Sequence, residues 1–170
     1  MPVIKLSDPA SYESYFEEIA RRHRAIRHTN ASKHFYPFDA EEVESGLRGE
    51  IKFPCLVLEY NEGNFEGPNL AQLNEKIRSA FWVLLAGVDP GDFKARNDSL
   101  RLSKEYGYEI LAKMKQDSEN GILFGFDVRN VRYMKVGPMF PGNHYFVRWE
   151  WDATNGINNK LCFDESKWLI

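Results

Sequence analysis

The segment His144–Asp152 constrains the fold more than any other stretch of the chain. Its side chains alternate: Tyr145, Val147, Trp149 and Trp151 fall on one side of an extended backbone, and Phe146, Arg148, Glu150 and Asp152 on the other. Successive strand residues point to opposite faces, so this pattern requires a sheet with one apolar-aromatic face and one mostly charged face. The apolar face must then be covered by a second layer.

Two segments with helical spacing can supply that layer. Tyr12, Tyr15, Phe16, Ile19, Ala20, His23 and Ile26 recur on one helical face. Asp8 stands where it can cap free amides, and Pro9 suits the first helical position. Glu17–Arg21 and Glu18–Arg22 are i,i+4 pairs on the outer face, and the helix is expected to fade near Arg27–Asn30. The second helix follows the turn Asp89-Pro90-Gly91-Asp92 and runs from Phe93 or Asp98 to Gln116, ended by Asn120-Gly121. Leu100, Ser103, Gly107, Ile110, Leu111 and Met114 trace one face, with Tyr106 beside it. Gly107 costs a helix interior up to about 1 kcal/mol relative to Ala and leaves room for close packing on the sheet. A short third helix is expected to start at Asp39-Ala-Glu-Glu42 and to end at Gly46 or Gly49.

The other strands read less evenly. Phe53–Tyr60 is apolar on both faces and therefore central, with Pro54 at its start. Asn61–Asn69 is a loop or hairpin connection. Leu73–Gly87 is ambiguous, because Gln72–Ile77 has helix-starting residues. Ser79–Ala86, with Phe81, Trp82 and Val83, favours a strand, so one long strand antiparallel to 53–60 is expected. Ile122–Asp127, Asn130–Val136 and His144–Asp152 complete the set, with 137–142 joining the last two. The order gives an α+β fold: a mostly antiparallel sheet with an N-terminal helix and one long helix packed on one face. The 170 residues suit one domain, with a core over 9–152 and a C-terminal extension over 153–170. Apolar residues near the end of that extension imply docking.

Little in the sequence is arranged for chemistry. His23, His28, His34 and His144 do not share a helical face, and Cys55 and Cys162 form no metal spacing. There is no G-x-S-x-G elbow, no phosphate-binding glycine loop, and no apolar run near the roughly 20 residues of a membrane span. We therefore expect no cofactor, no metal, no membrane and no catalysis. A small enzyme pairing His144 with Cys162 or a carboxylate stays open as an alternative. Cys55 lies in an apolar run and reads as a small buried hydrophobe, in keeping with a reduced, cytoplasmic-type setting.

Two groups of residues remain as candidate contact surfaces. Aromatics make up 14% of the chain, a surplus of the kind that subunit interfaces use. Phe65, Met139, Phe140, Trp149, Trp151 and Trp168 are the candidates, with core packing the competing reading of the strand tryptophans. Arg21, Arg22, Arg24 and Arg27 form a basic helix that either contacts nucleic acid or pairs with Glu17, Glu18 and neighbouring acids. The net charge of −3 favours pairing.

Residues 9–152 resemble the tail-terminator and tail-completion (neck ring) proteins of tailed bacteriophages and related prophage particles. The resemblance lies in element order: an N-terminal helix, the Phe53–Tyr60 strand, a polar hairpin and the Phe81–Leu85 strand. The Asp-Pro-Gly-Asp turn, the long helix through Ile110–Asp117 and the closing strands follow. It implies a virion structural subunit that assembles in the host cytoplasm into a ring, usually a hexamer. Its partners would be copies of itself, tail-tube protein and head-connector protein, with no catalytic residues to assign.

Overall fold

The computed structural model describes residues 3–5, 8–37, 51–69, 72–139, 142–156 and 166. The expected short helix from Asp39 to Gly49 lies outside these residues. In chain order the elements are β1 (Ile4–Lys5), α1 (Pro9–Arg22), β2 (Phe35–Pro37), β3 (Cys55–Leu58), β4 (Glu62–Glu66) and β5 (Asn74–Leu84). Then come α2 (Phe93–Glu119), β6 (Leu123–Phe124), a 3-10 turn (Val128–Asn130), β7 (Arg132–Met139) and β8 (His144–Gly156).

The fold is α+β, with a mostly antiparallel sheet, as the alternation in His144–Asp152 requires. β5 is its spine. β8 runs antiparallel along one side of β5 from Asn74↔Gly156 to Trp82↔Arg148. On the other side β3 and β4 follow one another as a single interrupted strand, paired at Leu58↔Phe81 and again at Glu62↔Arg78. β2 adds parallel to β3, and β7 adds antiparallel to β8. Residues 74–78 are strand, and the long strand from Asn74 to Leu84 pairs antiparallel with β3 as expected.

Several segments differ from what the sequence predicts. Asn61–Asn69 contains a real strand, β4, held by its ladder to β5 rather than by burial. Ile122–Asp127 yields only the two residues of β6, which pair parallel with β1 in a separate ribbon. α1 stops at Arg22 instead of fading near Arg27–Asn30; Ile26 is buried all the same, by the turn that follows. Ala153–Gly156 continue β8 instead of opening a C-terminal extension, because β5 reaches far enough to pair with them.

Both helices cover the same face. Phe16 of α1 meets Phe81 at 5.7 Å and Trp151 at 6.0 Å between ring centroids. Ile110, Leu111 and Met114 of α2 join the same core, with Leu56, Val83, Val147 and Trp149. The buried carboxylate of Asp117 ties the helices together, accepting from the Tyr15 hydroxyl at 2.8 Å and pairing with Lys113 at 2.5 Å. At the start of α1, Asp8 holds the capping position, but its carboxylate accepts from the Ser11 hydroxyl rather than from an amide.

The opposite face is not uniformly wet. Towards the start of β8 it carries a second apolar cluster of Tyr36, Cys55, Val57, Trp82, Leu84 and Phe146, with Trp82 stacked on Phe146 at 5.3 Å. Only the other end is ionic. There Arg148 donates to Glu59 at 2.5 and 2.7 Å and to Glu150, while Arg78 and Arg132 reach Glu150 and Asp152. Paired arginines keep that end solvated and ordered without a covering layer.

β5 and β8 part where this apolar end begins. Val83 and Val147 would be the next pair in register, but the Ser103 hydroxyl of α2 sits between them, donating to the Val83 carbonyl (2.8 Å) and accepting from the Val147 amide (3.0 Å). Ser99 donates to the Tyr145 carbonyl, and His144 Nδ1 meets the Leu85 carbonyl at 2.7 Å. Side chains thus satisfy the backbone groups that the separated strands leave open.

Candidate interaction surface

Among the described residues the sheet has an open edge on each side. β7 has β8 on one side and no strand on the other among the described residues, and β4 likewise has only β5. An open edge presents unpaired amides and carbonyls to any strand that approaches. Large apolar side chains stand on the same two strands: Phe65 is 61% exposed on β4, and Tyr133, Met134 and Met139 are 50%, 51% and 42% exposed on β7. Tyr133 lies beside Trp149, on which Tyr108 also packs, with the Lys104 ammonium 4.3 Å above the Tyr133 ring.

The sequence candidates divide accordingly. Phe65 and Met139 are exposed at open edges. Phe140 and Trp168 lie outside the described residues. Trp149 and Trp151 are corrected: at 2% and 0% exposure they are core, covered by both helices, and have no surface left for a partner. Alternation identified their face as apolar but did not say what covers it. Tyr133 and Met134 were missed, because β7 alternates weakly and its signal is position at the sheet edge rather than composition.

The basic run is largely engaged. Arg21 bridges Glu17 at 2.6 Å and the Asn30 side chain at 3.1 Å, and Arg22 pairs with Glu18. Arg27 turns back to the Arg24 carbonyl at 2.5 Å. The Arg21 guanidinium holds the Glu17 carboxyl below the usual carboxylate range. His28 is buried behind this pair, its Nδ1 accepting from the His34 amide at 3.0 Å and its Nε2 lying 3.3 Å from Glu17.

Among the described residues the four histidines and Cys55 do not gather at one site. His144 is buried in the strand fork, and Cys162 lies outside the described residues. Burial pushes the Cys55 thiol well up, away from the reactive thiolate. Among the described residues no three His, Cys, Asp or Glu side chains gather as a metal site. The groove beside β4, about 350 Å³ and lined by Glu62, Asn64, Glu66, Lys76, Arg78 and Asp152, is shallow and mixed in sign. Among the described residues no helix is long and apolar enough to cross a membrane. No known protein family, curated protein or solved structure matches the chain.

Proposed function

We propose that this chain is a structural subunit that assembles with copies of itself, a tail-terminator or neck-ring protein of a phage or phage-like particle. One observation carries the self-assembly reading: Phe65, Tyr133, Met134 and Met139, four of the ten exposed large apolar side chains among the described residues, stand on the two strands whose outer sides have no partner among those residues. Apolar anchors next to unpaired backbone are what strand addition between proteins uses. The element order over residues 9–152 supports placement at the end of a phage tail, with tail-tube and head-connector proteins as neighbours and the host cytoplasm as the place of assembly. Hexameric closure follows from the same resemblance.

Light scattering and negative-stain images of the purified chain test this. Rings, or oligomers that co-assemble with tail-tube protein, are the expected result. A chain that stays monomeric and never joins a tail tube overturns it.

A further inference from the structure

The two open edges differ in charge. β4 carries Glu62 and Glu66 and no basic residue, whereas β7 carries Arg132 and Lys135 and no acid. We propose that β4 of one copy pairs with β7 of the next, in a head-to-tail joint between identical chains. The proposal rests on the self-assembly reading above and names its contact. Pairing β4 with β4 sets acids against acids, and β7 with β7 sets bases against bases; only the mixed joint attracts. A mixed joint is heterologous, so it propagates from copy to copy.

Strand direction fits the same joint. β4, β5, β8 and β7 alternate in direction across the sheet. A second copy in the same orientation therefore presents its β4 antiparallel to β7, and the helices stay on one face of a continuous sheet.

Length and register fit as well. Pro138 has no N–H, and the β7 ladder shifts between Val136 and Met139, so its regular stretch is 132–136. That matches the five residues of β4. With Phe65 opposite Tyr133, Glu66 falls opposite Arg132. Phe65 shares its face with Ile77 and Tyr133 shares its face with Trp149, which puts both rings on the helix side, where each covers the other. Met139 then reaches the Glu59–Asn61 segment. Glu66 is level with Asn74 of β5, and Arg132 is level with Ala80 through Glu150. Each added copy therefore steps about 20 Å along the strands.

Disulfide trapping tests the joint in full-length chains carrying Cys162→Ser. Mixing Phe65→Cys protein with Tyr133→Cys protein under mild oxidation should give a linked dimer, while neither variant alone should link. A chain carrying both changes should give a ladder of linked multimers. In the unmodified protein, amides of 62–66 and 132–136 should gain hydrogen-exchange protection as concentration rises, and Glu66→Arg should weaken association at least about tenfold. Oligomers by sedimentation without cross-linking or protection overturn this joint and leave the assembly reading standing. A monomer at every concentration overturns both.

Discussion

Gly107 of α2 lies directly against Trp149 of β8: a methyl group at Gly107 would sit 2.0 Å from the indole Nε1. The missing side chain lets the helix axis approach the sheet closely enough to cover a tryptophan. Gly107→Ala gains up to about 1 kcal/mol of helix propensity. It also drives a methyl group into a ring that is 2% exposed and cannot swing away. Overpacking of a buried core costs about 1–3 kcal/mol and more where the neighbour is rigid, so packing wins. Chemical denaturation should show a net loss of about 1–3 kcal/mol; a stabilised variant would show that α2 moves freely on the sheet.

Ser103→Ala should cost about 2 kcal/mol, because it leaves the Val83 carbonyl and the Val147 amide buried without a partner. Hydrogen exchange at the Val147 amide should accelerate in the variant. Unchanged exchange there would mean that the strands close the fork by themselves.

Trp151→Ala and Phe65→Ala should behave oppositely. The first removes a fully buried ring and should cost about 3–5 kcal/mol. The second trims an exposed edge residue and should leave stability within about 0.5 kcal/mol while weakening self-association. Denaturation midpoints and sedimentation read the two effects separately.

Acidification should destabilise the chain before its carboxylates titrate. Burial lowers the pKa of His23 and of His28 below the ordinary histidine value, with Glu109 and Glu17 partly opposing. The unfolded chain then takes up protons first, so the contribution is full above about pH 6.5 and is lost as pH falls below it. Melting temperature should drop between about pH 7.5 and 5.5. A chain carrying His23→Gln and His28→Asn should show a flatter profile over the same interval. An equal slope in both proteins would place the effect elsewhere.

What the sequence revealed follows from what period-2 and period-3.6 patterns encode. β8 and the inward face of α2 were legible because burial on one face imposes the spacing, and β3 and the second half of β5 because burial on both faces makes a continuous apolar run. Gly107 was readable as a close approach, though not its partner. β4 escaped because Glu62-Gly-Asn-Phe-Glu66 buries nothing and is strand only by virtue of its ladder to β5. Thr154-Asn-Gly156 is strand through its ladder to β5. The second apolar cluster was hidden because Phe146 shares its face with Arg148, Glu150 and Asp152, and only neighbours on other strands make one end dry. The open edges are a property of topology, which no local window contains.

The fork at Val83 and Val147 has a mechanical meaning. A helix resting on a sheet through side-chain packing alone can creep along it by small shifts. Here Ser99 and Ser103 are pegged to β8 and β5 at fixed levels, so sliding by even one residue breaks three hydrogen bonds at once. The helix and sheet therefore move as one stiff body, and if copies assemble as proposed, bending of the assembly falls to the seams between them.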